Sequence, residues 1–337
     1  MEAFINFISY YLPEQRLSNE DIERKHPEWS IVKISEKTGI SNRHIAGPNE
    51  FSSDMAVKAA NFLFDELNFD RKEIDYLILC TQSPDYFLPT TACIIQDRLE
   101  LNNSIGSIDV NQGCSGFVYS IGLAKGLILS GQAKKVLVLT AETYSKFINT
   151  NDKSNKTLFG DASAATLVTN ESFGFKAKIE DFVYGTDGSG FESLIVKNGG
   201  MRFRFEKGSD NFEEGNFKGN DDDLFMDGRA VFQFTNSVVP SLVDSTLIKN
   251  SLDKDDIDKF IFHQANKFML DKIRLKLNIS QSKFVFNSED IGNTVSSTIP
   301  ISLRKLYDLE KFYFGQKLMV VGFGVGLSYG STVLNIN

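Results

Sequence analysis

The 337-residue sequence predicts an α/β protein made of two pseudo-symmetric halves, residues 1–175 and 176–337. Three observations lead there. Short apolar runs alternate with segments of helical pattern, which implies strand–helix units and a mostly parallel sheet in each half. The apolar runs are continuous rather than alternating, as in strands covered on both faces. The chain also resembles itself. Glu73-Ile-Asp-Tyr-Leu-Ile-Leu79 matches Asp256-Ile-Asp-Lys-Phe-Ile-Phe262, a shift of 183 residues (73 to 256), and Lys134-Lys-Val-Leu-Val-Leu139 matches Gln316-Lys-Leu-Met-Val-Val321, a shift of 182 (134 to 316). Two matches at nearly one offset argue for an internal repeat.

The elements follow in chain order. Asp54–Asn68 reads as a helix capped by Ser53 or Asp54. Tyr76–Thr81 is a strand, Thr90–Leu99 a helix opening after Pro89, and Gly106–Val110 a strand. A helix from about Ser115 to Leu129 ends near Gly131. Lys135–Thr140 and Ala162–Val168 are strands. In the second half Gly228–Lys249 is a helix, Lys259–Phe262 a strand, Lys267–Leu277 a helix and Lys283–Phe286 a strand. Thr298–Leu309 is a helix with Pro300 in its first turn, where proline is tolerated. Lys317–Val321 and Ser328–Ile336 close the sheet. The segment Gly199–Asp223 departs from this order: Arg202, Arg204, Lys207 and Lys218 lie among many Asp, Glu, Asn and Gly. It reads as a long, mobile, polar loop, either a solvated insertion or a lid or entrance collar.

Composition narrows the function. Hydrophobic content of 42% and charged content of 24% fit a soluble globular protein. The net charge of −8 argues against general nucleic-acid binding. Three cysteines in so long a chain make no disulfide framework. No basic leader precedes the apolar stretch Ile5–Leu12, and no run reaches membrane-spanning length, so a cytoplasmic enzyme with no membrane attachment is expected.

Cys114 is the cysteine placed for chemistry. It follows a strand and a Gly turn in Gln112-Gly-Cys114-Ser-Gly-Phe117 and stands where a helix begins. Unpaired N–H groups there favour a thiolate and predict a nucleophile near neutral pH. A buried structural cysteine is the commoner fate of a free thiol, but two later motifs speak for chemistry. His263 ends a strand in Phe262-His263-Gln-Ala-Asn266, and Asn293 sits in Gly292-Asn-Thr294. Shifted by 182 residues, Cys114 falls on Ser296, three residues after Asn293, so the halves place both polar groups at equivalent corners. Sites in open α/β sheets form beyond the carboxyl ends of strands. His26 and His44 read as surface residues. The Gly-rich Val321–Gly330 precedes a strand rather than a helix, which excludes a dinucleotide fingerprint. It suits a tight hairpin whose backbone N–H forms an oxyanion hole with that of Cys114.

These pieces resemble the thiolase superfamily, most of all β-ketoacyl-acyl-carrier-protein synthase III. The matching segments are Thr38-Gly-Ile-Ser-Asn-Arg43, Leu88-Pro-Thr-Thr-Ala-Cys93, Cys114-Ser-Gly-Phe, Leu158-Phe-Gly-Asp161, His263-Gln-Ala-Asn266, Gly292-Asn-Thr294 and Gly322-Phe-Gly-Val-Gly326, in family order across nearly the whole chain. No second late cysteine is present, as in thiolases, and no second histidine beyond Cys114, as in elongating synthases. The resemblance implies a thiolase fold in a five-layer αβαβα arrangement and a homodimer. It implies Cys114, His263 and Asn293 as catalytic residues, with the N–H groups of Cys114 and Val325 as the oxyanion hole. The reaction implied is acyl transfer to Cys114 followed by decarboxylative Claisen condensation with malonyl-acyl carrier protein. No cofactor is implied, only coenzyme A or phosphopantetheine thioesters as substrates; the primer is an acyl-coenzyme A or an acyl carrier protein thioester. Leu88, Phe232 and Gly324 fall in the substrate pocket, and Lys267, Lys272, Arg274 and Lys276 on the helix that docks the acidic carrier protein.

Two departures bear on substrate. Lys153 stands at the position of an Arg that, with a Trp, holds the adenine of coenzyme A. The spacing from Trp29 to Thr38-Gly39 is longer than in the family, which leaves open whether Trp29 reaches the Trp position. Leu88 replaces a Phe that crosses the dimer interface to bound the acyl pocket. A fatty-acid initiator and a supplier of acyl groups to specialised metabolites or surface glycans both fit. A non-decarboxylating acyltransferase and a non-catalytic partner subunit of the same fold are the alternatives.

Overall fold

A computed structural model describes residues 1–337. Ten strands form one hydrogen-bonded sheet: β1 (Phe4–Tyr11), β2 (Tyr76–Cys80), β3 (Gly106–Val110), β4 (Lys135–Glu142), β5 (Ala162–Thr169), β6 (Ala177–Ile179), β7 (Val183–Thr186), β8 (Lys259–Phe262), β9 (Lys317–Gly324) and β10 (Ser328–Ile336). The order is β8-β9-β10-β6-β1-β5-β4-β2-β3, with β7 paired to β10. Each half therefore has the same strand plan, and the halves join where Phe4 and Ile5 of β1 pair with Lys178 and Ala177 of β6.

Each half is mixed rather than mostly parallel. Only β2–β3, β2–β4 and β8–β9 run parallel. Between β9 and β10 only Val325–Leu327 intervene, too short for a crossover, so the two strands pair as an antiparallel hairpin. The segment expected as a strand at Lys283–Phe286 makes a single bridge, Phe260 to Phe284. Conversely, Phe4–Tyr11 is a strand at the centre of the sheet, buried over most of its length. Its run FINFISYY, apolar except for Asn6 and Ser9, was the available signal.

The helices are α1 (Asn19–Lys25), α2 (Ile31–Thr38), α3 (Ser52–Leu67), α4 (Thr91–Arg98), α5 (Gly116–Leu129), α6 (Lys153–Lys156), α7 (Gly228–Lys249), α8 (Lys267–Lys276) and α9 (Thr298–Glu310). Helix α3 begins two residues before its expected start at Asp54. Asp54 caps it from inside, its carboxylate accepting the Phe51 N–H at 2.8 Å. Helices α5 and α9 start 182 residues apart (116 to 298). Both touch strands of both halves and form the middle layer, α5 against β2, β4, β9 and β10, α9 against β1, β5 and β8. Helix α5 carries one charge in fourteen residues, as its sandwiched position requires. Helices α3 and α4 cover the first half outside, and α7 the second.

The polar segment is not structureless. Leu194–Val196 and Leu224–Met226 pair antiparallel at its root, and Asn211–Glu213 with Asn216–Gly219 form a hairpin within it. Asn149 ties it down by donating to Asp210 at 2.9 Å and Asp223 at 2.7 Å.

Phe260 is fully buried and meets Phe262 edge-on at 6.4 Å. Phe260→Ala is expected to cost about 3–5 kcal/mol, read as a lowered urea midpoint with an unchanged slope.

Candidate active site

Cys114 follows β3 by a turn in which the Gly116 N–H donates to the Gly113 carbonyl at 2.7 Å. It lies just before α5, with 5% of its surface exposed. The end of β9 presses against it. A Cβ at Gly324 would lie 2.7 Å from Cys114 Cβ and 2.8 Å from Sγ, so only glycine fits that approach. The N–H groups of the next residue, Val325, and of Cys114 itself favour the charged thiol and oppose the effect of burial.

His263 extends β8 by one residue: its N–H donates to the Val321 carbonyl at 2.8 Å. Its ring meets Phe323 edge-on at 5.7 Å, and Nδ1 lies 2.8 Å from Thr298 Oγ1. Gln264 holds the backbone beyond the strand, donating to the Phe262 carbonyl at 2.7 Å and accepting the Asn287 N–H at 3.0 Å. Asn266 caps α8 by accepting the Met269 N–H at 2.8 Å.

Asn293 is clamped by backbone. Its N–H donates to Leu158 at 2.9 Å, and its carbonyl accepts the Gly160 N–H at 3.0 Å. Its side-chain Oδ1 accepts the Val295 N–H at 2.9 Å, which assigns the oxygen and leaves Nδ2 as the free donor. The clamp is itself held by Arg43, whose buried guanidinium donates to the Thr157 carbonyl (2.9 Å from Nε) and to Asn19 Oδ1 at 2.6 Å. Arg43 faces neutral acceptors only among these partners, and burial lowers its pKa to about 10.

Cys114, His263, Asn293 and Gly324 all line one chamber of about 80 Å³, walled by Leu158, Phe159, Leu194, Met226 and Phe323 among others. Leu158, Met226, Gly228, Asn266 and Met269 also line an outer cleft of about 560 Å³, so the chamber and that cleft adjoin. The cleft is lined by Lys33, Lys37, Lys153 and Arg229 and by no carboxylate. Phe232 belongs to this outer cleft and not to the chamber, because α7 points it at Phe268, 5.8 Å away. Leu88 lines neither; it is 85% exposed on the connection leaving β2 at the sheet edge.

Of the four expected basic residues on α8, two are engaged internally. Arg274 donates to the Ile279 carbonyl at 3.1 Å, and Lys276 to the Asn236 carbonyl at 2.8 Å. Lys267 and Lys272 are exposed. Trp29 does come near Lys153, with Nζ 5.9 Å from its ring. The indole is nevertheless buried, and His26 stacks on it at 3.9 Å. His44 is not a surface residue: it is 6% exposed, with Nδ1 2.5 Å from the Pro13 carbonyl. The sequence reading also missed Leu194 and Met226 in the chamber wall and Thr298 beside His263.

Electrostatically the site is neutral. Burial pushes the Cys114 thiol up to about 12, against the opposing pull of the Val325 and Cys114 N–H groups. The expected low-pKa thiolate is therefore not favoured: desolvation outweighs the helix start. Burial also lowers His263 to about 3, so its imidazole is uncharged at neutral pH. Glu142 is buried close by and raised to about 8; its Oε1 accepts from Ser296 Oγ at 2.7 Å. Because the raised thiol pKa confines thiolate to high pH, alkylation of Cys114 by iodoacetamide should accelerate about tenfold per pH unit from pH 7 to 10. Site-resolved mass spectrometry showing a plateau near pH 8 would contradict this.

A family model for 3-oxoacyl-[acyl-carrier-protein] synthase III matches residues 108–188, and the C-terminal model of the same family matches residues 247–336. The β-ketoacyl-[acyl-carrier-protein] synthase III of Lactococcus lactis is 35% identical over 343 aligned positions, covering 99% of both chains. That of Clostridium perfringens is 34% identical, covering 97% of both. A 3-oxoacyl-(acyl-carrier-protein) synthase III crystal structure superposes with a TM-score of 0.94 at 43% identity, covering 99% of this chain and 100% of that one. The 3-oxoacyl-(acyl-carrier protein) synthase of Burkholderia xenovorans superposes at 0.89 with 32% identity, covering 100% and 95%. With its chamber, its strand plan and these relatives in agreement, the chain belongs to the 3-oxoacyl-[acyl-carrier-protein] synthase III family of condensing enzymes.

Proposed function

We propose that this protein transfers an acyl group from a thioester to Cys114 and condenses it with malonyl-acyl carrier protein, giving a 3-oxoacyl thioester and carbon dioxide. The observation that carries the reading is the convergence of Cys114, His263 and Asn293 on one chamber. Cys114 Sγ attacks the thioester carbonyl; the carbon–sulfur bond to the carrier breaks and the carrier thiol leaves. The Cys114 and Val325 N–H groups stabilise the tetrahedral oxyanion. Malonyl thioester then loses carbon dioxide. His263 Nε2 and Asn293 Nδ2 donate to the enolate oxygen as charge develops. The enolate carbon attacks the acyl-cysteine carbonyl, and the thiolate leaves and takes a proton. An uncharged imidazole suits a donor that must not be consumed as an acid. The reaction needs no resident cofactor, because the thioester carbonyl itself serves as electron sink.

The four cations around the outer cleft, with Lys267 and Lys272 beside it, favour an acidic carrier protein and a phosphopantetheine arm as the donor. The covered face of Trp29 favours acyl carrier protein over coenzyme A as the primer's carrier. A homodimer in the cytoplasm completes the reading. β3 is an edge strand with one free side, and Tyr86, Phe87 and Leu88 are exposed at the same edge, as a partner surface requires. Leu88 would then reach the partner's acyl pocket. No helix is long and apolar enough to cross a membrane.

Cys114→Ala is expected to abolish acyl transfer. Asn293→Ala should still load acyl groups on residue 114, seen by intact mass, but lose roughly 10²–10³-fold in decarboxylation. Wild-type condensation by Asn293→Ala would sink the assignment. Reversing the charges of Lys267 and Lys272 together should raise KM for carrier-bound donor and not for small thioesters, measured by steady-state kinetics.

A further inference from the structure

The ring of His263 has two polar neighbours on its Nδ1 side. Thr298 Oγ1 lies at 2.8 Å, and the Val295 carbonyl is also within reach of the ring. Thr298 is buried, 1% exposed, and its hydroxyl has a single proton. That proton can go to His263 Nδ1 or to the Val295 carbonyl, 3.0 Å away. The two choices give opposite chemistry. A hydroxyl donating to Nδ1 makes Nδ1 an acceptor, and the neutral ring then carries its proton on Nε2, facing the chamber. A hydroxyl turned to Val295 makes Nδ1 the donor and leaves Nε2 a lone pair. The Val295 carbonyl already accepts the Thr298 backbone N–H, so it does not require the hydroxyl. Nδ1 has no other donor among the hydrogen bonds of the site.

We infer that Thr298 is a positioning residue that donates to His263 Nδ1 and so keeps the imidazole proton on Nε2. This rests on the proposed donor role of His263. Without the hydroxyl, the ring has only the Val295 carbonyl on that side, an acceptor, and the proton moves to Nδ1. Nε2 then presents a lone pair to the enolate oxygen, which repels it.

The test uses the full-length enzyme labelled with ¹⁵N-histidine. Only His26, His44 and His263 contribute, and His263→Gln identifies the third. The wild type is expected to show His263 protonated on Nε2 in its ¹⁵N shifts. Thr298→Val should show it protonated on Nδ1, should lose on the order of 10²–10³-fold in malonyl decarboxylation, and should load acyl groups on Cys114 at the wild-type rate. Thr298→Ser should restore both the shifts and the decarboxylation. A wild-type ring protonated on Nδ1, an unchanged ring in Thr298→Val, or equal loss of both half-reactions would overturn the inference. His263→Ala separates the two readings: retained decarboxylation there would refute the donor role itself, whatever the tautomer.

Discussion

The site depends on one close approach across the seam between the halves. The end of β9 lies against Cys114, just ahead of α5, so tightly that position 324 has no room for a side chain. That contact sets Val325 of one half, whose N–H favours the charged thiol, beside Cys114 of the other. Everything else holds the two sides in register: the shared sheet, the paired middle helices, and the buried bond from Ser296 to Glu142. Glu142 and Gly324 end equivalent strands, and Ser296 is the repeat mate of Cys114. One corner of the duplicated frame thus holds a thiol against bare backbone, and the other a hydroxyl against a carboxylate.

Much of this was legible in the chain. Repeated runs at one offset gave the duplicated plan, because buried strands keep their apolar identity when little else survives. The Gly-Cys and His-Gln-Ala-Asn motifs marked segments that follow strands, where the residues must be polar yet enclosed, whereas Gly-Asn-Thr lies in a loop joined to Phe159 by a single bridge. What stayed hidden depended on distance in sequence. The central strand Phe4–Tyr11 has no helix before it to announce a strand–helix unit. The engagement of Arg274 and Lys276 by backbone carbonyls cannot be seen from a helix pattern, which shows charge but not its partners. The same is true of His44, whose polar neighbours suggested a surface and whose ring is enclosed.

The electrostatic expectation failed for a physical reason worth separating from the geometry. A helix start favours an anion by a modest amount when solvent is present. Enclosure of a thiol with 5% exposure penalises that anion more. The same enclosure keeps the imidazole neutral. A site without standing charge stabilises charge only while it forms on the reacting thioester, when fixed N–H groups act at low dielectric.

The root of the polar segment contributes Leu194 and Met226 to the chamber wall, although neither belongs to the duplicated frame. The frame fixes bond-making geometry, while this appendage shapes the space that an incoming chain must fill. A change of length or sequence confined to this appendage would therefore alter which chains fit while leaving the residues around the sulfur in place.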